Sequence, residues 1–341
     1  MKVYKTAECV TPRHPDKMCD QISDGILDLA LTKNPRARVA VEVCAGHGDM
    51  VVIGEIGGVS ISSMEVEAIV QEVTGVKPDR LIVNLVQQSG EIAQGVDIGG
   101  AGDQGIMVGY ACKGNSSMIP LEMHLARSLC RYIYEIARWD GKTQITLVDG
   151  KVETIVASFQ NCTQEFLKWA VHQWLLHENV ETSGDVKMYL NPAGNWRVGG
   201  FDADTGLTGR KLAVDNYGPN IPVGGGAFSG KDSTKVDRSG AYAARKLAVT
   251  MLQELDAEEV TVKLAYAIGV AEPVMASFTA VRKTSDGDEV IEGEIDTKVG
   301  ATRFNLTPSG IIEDLRLREP QFRKLAEWGS FGNGAEWDRP Y

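Results

Sequence analysis

The chain has no run of lysine or arginine, no apolar stretch close to the ~20 residues of a membrane span, and no C-x-x-C pair. Each absence removes a class of function. Without a basic run, and with a formal net charge of −11, neither nucleic acid nor an anionic membrane surface is expected as the main partner. An anionic small substrate would need a local basic cluster working against the global field. The opening Met1-Lys2-Val3-Tyr4-Lys5 lacks the apolar core of a signal peptide, so a cytoplasmic location is expected. Cys9, Cys19, Cys44, Cys112, Cys130 and Cys162 are scattered without metal-ligand spacing. They are read as reduced thiols, not as a zinc site or a disulfide framework.

What remains is a globular composition, 43% hydrophobic and 24% charged. At 341 residues the chain is long enough for two or three packed domains. Ala37–Cys44 and Met50–Ile56 alternate as strands, and Gly46-His47-Gly48-Asp49 between them predicts a hairpin with a four- or five-residue turn. A helix is expected over Asp16–Thr32, with Met18, Ile22, Ile26 and Leu29 on one stripe. Further helices are expected over Ser63–Glu72, Pro120–Ile136, Gln164–His177 and Asp237–Leu255. Phe166, Trp169 and Trp174 are expected to anchor the fourth of these five. Arg80–Leu85, Val260–Ala265 and Glu289–Ile295 read as strands. The mixture is α+β without a strict βαβ rhythm, and no internal sequence repeat is visible.

Two segments are rich in glycine without being linkers. Gly95–Gly109 holds six glycines around Asp97 and Asp103, and Gly199–Gly230 holds nine. Fixed charges beside glycine point to backbone that approaches a ligand closely. In Gly224-Gly225-Gly226-Ala227-Phe228-Ser229-Gly230-Lys231-Asp232, successive N–H groups can form an anion-binding nest with Lys231 as a point charge. The string fails the Walker A pattern because Asp232 stands where Ser or Thr must be, so it is a phosphate cradle of another lineage. Lys235 and Asp237 follow at a helix start, and Arg210 and Lys211 precede. Four cations within 26 positions of an acidic chain read as a polyphosphate site. His14-Pro15-Asp16-Lys17 stands directly before the first helix. Asp16, Asp20 and Asp24 share its face, a like-charged array that a metal ion could offset at Asp16, with Asp20 and Asp24 solvated or capping. Gly100-Ala101-Gly102-Asp103-Gln104-Gly105 is a third, weaker signal.

Taken together, His14–Lys17, Gly100–Gly105, Gly206–Lys211, Gly224–Asp232, Lys235–Ser239 and Tyr266–Pro273 resemble the S-adenosylmethionine synthetase (methionine adenosyltransferase) family, in the family's order. The resemblance implies three similar α+β domains around a pseudo-threefold axis: 1–12 with 114–199, 13–91 with 200–239, and 92–113 with 240–341. It implies ATP and L-methionine as substrates, with Mg²⁺ (two per site) and K⁺ as cofactors. It also implies a homodimer with active sites at the interface, pairing further into a homotetramer. Neither nucleic acid nor membrane is expected as a partner.

The residue roles come from the same resemblance. His14, Lys142, Arg210 and Lys235 are the expected catalytic residues. The ATP and triphosphate site would take His14, Asp140, Lys142, Trp196, Asp204, Arg210, Lys211, Gly230, Lys231, Lys235 and Ile268. Methionine would meet Glu55, Gln88, Asp103, Asp204 and Lys235. Asp16 and Asp237 are assigned to Mg²⁺ and Glu42 to K⁺. The chain departs from the family pattern at Pro12-Arg13, which brings an extra cation beside His14, at Asn195 for a usual arginine, and at Trp196 for Phe. The segment from Gln88 to Asp103, the family's active-site lid, is a few residues short. The rival readings are a phosphotransferase or NTPase using the same basic cluster, and a nucleotide-binding regulatory protein.

Overall fold

A computed structural model describes residues 2–88, 99–297 and 304–341. Its strands form three four-stranded sheets. The first has the order β1-β6-β7-β8, from β1 (Tyr4–Val10), β6 (Gly141–Val148), β7 (Lys151–Phe159) and β8 (Thr182–Leu190). The second runs β4-β3-β2-β9, from β2 (Arg38–Gly46), β3 (Asp49–Gly57), β4 (Arg80–Gln87) and the two-residue β9 (Gly206–Leu207). The third runs β12-β11-β10-β5, from β5 (Gly105–Cys112), β10 (Glu259–Tyr266), β11 (Met275–Thr284) and β12 (Gly287–Glu294). Each sheet carries helices on one face. Helices α3 (Leu121–Ala137) and α4 (Gln164–His177) belong to the first, α1 (Pro15–Lys33) and α2 (Ser63–Thr74) to the second, and α6 (Val236–Glu254) and α7 (Pro308–Asp314) to the third. The short α5 (Leu212–Asp215) packs near β1, and α8 (Phe322–Ala326) packs on α1.

The first two sheets share a topology that the sequence did not reveal. In each, an antiparallel hairpin is followed by a helix that crosses to a parallel strand: β6-β7-α4-β8 and β2-β3-α2-β4. Local chemistry sets the helix ends. Ser62 and Glu65 form a reciprocal capping box on α2, and Gly75 closes it at φ 82°. The hairpin turn is two residues, not four or five. His47 (φ 52°) and Gly48 (φ 86°) both sit in the left-handed region, as the turn matching strand twist requires.

Three expectations about packing are corrected. Trp174 is the fully buried anchor of α4, whereas Trp169 is 50% exposed. The glycine string ending at Gly109 does not stay loop throughout, because Gly105–Cys112 is strand β5. A Cβ at Gly109 would lie 2.0 Å from the Ala244 carbonyl carbon, so this glycine admits helix α6 rather than a ligand. Asp20 and Asp24 are neither solvated nor capping: both are buried, at 1% and 0% exposure. Loop N–H groups and buried cations hold them there, as detailed below.

Candidate active site

The site is built around the start of α1 and one edge of β2. Pro15 opens the helix, and His14 caps it by accepting the Asp16 N–H at Nδ1 (3.2 Å). With Nδ1 accepting, the neutral imidazole carries its hydrogen on Nε2. Burial, reinforced by the Lys211 and Lys142 ammonium groups, pushes the His14 pKa down to about 4, so the ring is neutral near pH 7. Asp16 accepts from Arg210 Nε (2.8 Å), Lys211 Nζ (2.5 Å) and the Leu207 N–H (3.0 Å). Burial alone would raise its carboxyl, but these donors outweigh burial and hold it below the ordinary range. Asp140 accepts the Gly200 N–H (3.0 Å), and burial lifts its pKa. Lys142 and Asp204 complete the group facing His14.

A second group lies further along the same helix. Both basic loops ride on one edge of β2. Residues 206–207 pair with Ala45 and Cys44; the Thr208 N–H donates to the Val43 carbonyl (3.0 Å), and the Val43 N–H donates to the Thr208 hydroxyl Oγ1 (3.0 Å). Gly230 and Asp232 pair with Val41 and Val39 beyond them. Gly230 has φ 79°, and a Cβ there would lie 1.9 Å from the Val41 carbonyl oxygen, so only glycine fits. Lys231 Nζ donates to Asp237 (2.7 Å), whose other oxygen accepts the Gly226 N–H (3.0 Å), and Lys235 pairs with Asp232. The glycine nest is thus closed around the first carboxylate of α6.

Most of the remaining expected residues lie on β2–β4 or in the loops after them, while Trp196 stands next to Gly199 on the side of the first group. Lys231 bridges Ala40 on β2, and Ala40 pairs with Glu55 on β3. Glu42, two residues along β2, is exposed on the same outward face. Gln88 follows β4, its N–H on the Ile56 carbonyl (3.2 Å), and its buried Oε1 has no partner among the described residues. Gly100–Ala101 and Ile268–Val270 are joined by two backbone bonds, with Ile268 62% exposed and Asp103 half-buried nearby in sequence. Residues 89–98 of the expected lid lie outside the described residues. Trp196 is half-buried and donates from Nε1 to Asn191 (3.4 Å). Arg13 does not join the His14 group, because its guanidinium donates to the Val73 and Thr74 carbonyls at the end of α2.

One chain therefore brings the expected residues together as two groups rather than one. The first is His14, Asp16, Asp140, Lys142, Asp204, Arg210 and Lys211. The second is Lys231, Asp232, Lys235 and Asp237, with Glu42, Glu55 and Gln88 alongside. Sequence reasoning missed the buried pairs beneath them. Lys17 sits between Asp215 (2.6 Å) and Asp20 (3.1 Å), and Arg238 grips Asp24 through two nitrogens (2.7 and 2.8 Å). The signal was available, since three like charges on a helix face call for buried counter-charges as readily as for metal. Among the described residues no three His, Cys, Asp or Glu side chains converge as a metal cage, and no helix is long and apolar enough to cross a membrane.

Comparison with known proteins gives this arrangement a family. Profiles of the N-terminal, central and C-terminal domains of S-adenosylmethionine synthetase match residues 2–78, 98–196 and 198–339. An S-adenosylmethionine synthase of Wolinella succinogenes is 39% identical, over 96% of this chain and 92% of the relative. The same name, identity and coverage hold for a protein of a Nitratiruptor species. A third, from a Sulfurovum species, is 38% identical over 98% of this chain and 95% of its own length. The chain belongs to the S-adenosylmethionine synthetase family.

Proposed function

We propose that the protein makes S-adenosylmethionine from ATP and L-methionine. The methionine sulfur attacks C5′ of ATP, forming the S–C5′ bond as the C5′–O5′ bond breaks. The electron pair leaves on the triphosphate, which is then hydrolysed to phosphate and pyrophosphate. The observation that carries this reading is the pairing of each basic loop with a carboxylate at a helix start: Arg210 and Lys211 with Asp16, and Lys231 with Asp237. Such pairs divide naturally when a metal-bound triphosphate arrives, with phosphate oxygens on the cations and the metal on the carboxylates.

The donor set fits Mg²⁺. It is commonly held by one or two carboxylates plus substrate phosphates, so Asp16 and Asp237 suffice without an all-protein cage. Two Mg²⁺ ions would supply charge neutralisation for the departing triphosphate. The chain's own groups do the rest. His14, neutral and protonated on Nε2, is a hydrogen-bond donor for the departing 5′ oxygen. Lys142, Arg210, Lys211, Lys231 and Lys235 bind developing phosphate charge, and the Gly230 loop supports that clamp. Trp196 and Ile268 would offer apolar surface to adenine, and Asp140 and Asp204 of the His14 group would serve the same nucleotide. Glu55, Gln88, Asp103 and Lys235 would receive methionine; the unpartnered Gln88 Oε1 is an acceptor suited to its ammonium group. Glu42 is assigned to K⁺, and Glu42→Val is expected to weaken activation in a K⁺ titration while the Mg²⁺ requirement persists. An unchanged titration would return Glu42 to the status of a surface charge.

The domain limits 1–12 with 114–199, 13–91 with 200–239, and 92–113 with 240–341 belong to the same proposal; in its support, each of the three sheets falls within one of them, although α8 contacts α1. A homodimer is part of the same proposal, and pairs of dimers form the homotetramer. Asp16 and Asp24 lie about 12 Å apart along α1, by helical rise. The two basic groups they anchor therefore serve two sites better than one. Ile53, Ile82 and Val86 are 49%, 45% and 50% exposed on the outward face beside Glu55, an apolar surface suited to a second subunit. A cytoplasmic location belongs to the same reading. The deciding assay mixes the protein with ATP, Mg²⁺, K⁺ and methionine. A sulfonium nucleoside is the expected product; a phosphorylated acceptor or ADP in its place would overturn the assignment.

A further inference from the structure

Asp16, Asp20 and Asp24 stand one turn apart on α1, and each accepts a backbone N–H from a loop on the β2 edge. Leu207 donates to Asp16 (3.0 Å), Gly209 to Asp20 (2.8 Å) and Gly230 to Asp24 (2.8 Å). The two glycines are conformational equivalents, at φ 80° and 79°. Each directly precedes a clamp: Arg210-Lys211 after Gly209, and Lys231 after Gly230. The helix that His14 caps therefore also sets where both basic loops stand, at a spacing of about 6 Å per four residues.

Charge pairing alone does not explain Asp20. Its second oxygen meets Lys17 at 3.1 Å, but Lys17 already has Asp215 at 2.6 Å. A small cavity here is lined in part by Lys17, Asp20, Asp24, Asp215, Asn216 and Arg238, so three carboxylates face two cations. Burying a carboxylate beyond what the cations need is costly. What Asp20 adds is an acceptor for the Gly209 N–H, which is otherwise left without one.

We propose that Asp20 is a positioning residue that registers Arg210 and Lys211 on the triphosphate through the Gly209 N–H, as Asp24 registers Lys231 through Gly230. This rests on the reading of those cations as phosphate clamps. Asp20 is the better test of the two, because removing Asp24 would leave the buried Arg238 guanidinium unpaired. Asp20→Asn keeps an acceptor for Gly209, whereas Asp20→Leu has nearly the same shape and none.

The experiment measures binding of tripolyphosphate with Mg²⁺ by calorimetry, and KM for ATP and for methionine, in the wild type, D20N and D20L. Losing a hydrogen bond that orients charged groups predicts binding and KM for ATP about 10-fold or more weaker in D20L than in D20N. KM for methionine is expected to differ little between the two. Equal tripolyphosphate affinities in D20N and D20L overturn the proposal. So does a D20L whose KM values match those of D20N while only the active fraction falls, since that is the mark of a purely structural role. If D20L does not fold, D20N against Asp20→Ser, whose shorter side chain cannot reach Gly209, gives the same comparison. If the wild type makes no S-adenosylmethionine but the binding order holds, the assigned reaction fails and Asp20 keeps its role.

Discussion

Burial pushes the Asp20 carboxyl up to about 7, against the pull of Lys17 and with Asp215 adding to the rise. Between the ordinary value of 3.8 and about 7 the folded state keeps a proton on Asp20 that the unfolded chain has released. More protons bound in the folded state means stability falls as pH rises across that window. Asp20→Asn has no such proton, so the wild type is expected to lose Tm relative to D20N between pH 4 and pH 7.5. Thermal melts of both proteins at the two pH values check this, and a constant gap would contradict it. His14 offers a second test at this scale. Its Nε2–H is assigned to the C5′–O5′ bond, which free tripolyphosphate lacks. His14→Asn is therefore expected to reduce adenosyl transfer by about 100-fold or more while tripolyphosphate hydrolysis falls far less. Equal losses in the two assays would give His14 a shared phosphate role instead. The motif around His14 was legible in the sequence, because a short string fixes both the cap and its neighbours. Lys17, Asp215 and Arg238 were not, because their partners lie 198 to 214 positions away in the chain.

At the scale of elements, helices announced themselves by period and caps. Helix α4 was read to its exact ends, and α2 carries its capping box in the string Ser62–Glu65. Strands β1, β5, β6, β7, β8, β9 and β11 were not legible in the sequence. Among the described residues, β1 pairs only with β6, more than 130 positions away, and β8 loses its buried face at Gly184, where its alternation of half-buried and exposed residues breaks. Glycine was the least transparent residue. Gly230 serves the basic loop, but Gly109, which composition groups with the ligand loops, serves a helix crossing. The two uses separate by experiment. A methyl group at Gly109 meets the α6 backbone at 2.0 Å, which demands a shift of the helix. Gly109→Ala is expected to cost about 1–3 kcal/mol of stability, as overpacking does. Denaturant unfolding would show it, and an unchanged midpoint would mean that α6 slides freely over β5.

At the scale of the whole molecule, the proposal requires two groups of side chains, separated along α1, to act together. If each site takes His14 from one subunit and Lys231 from the other, two inactive variants can complement. His14→Asn and Lys231→Ala, unfolded together and refolded in equal amounts, give hybrid dimers with one site free of both changes. Random pairing then restores about a quarter of wild-type activity. Recovery no greater than the sum of the separate variants would place both groups in one site of one chain. The sheets raise a different question, one of time. Strand β1 pairs with β6, and β5 with β10, so each early strand waits for a partner more than 130 positions downstream. At about 5–20 residues per second, β5 spends roughly 7–30 s of synthesis without its neighbour. Its sequence, Gly105-Ile106-Met107-Val108-Gly109-Tyr110-Ala111-Cys112, is almost wholly apolar, and both α6 and β10, which cover it, are made later. For that interval the nascent chain carries an open, sticky edge, and ribosome spacing and chaperone supply weigh on its yield as heavily as the stability of the finished fold.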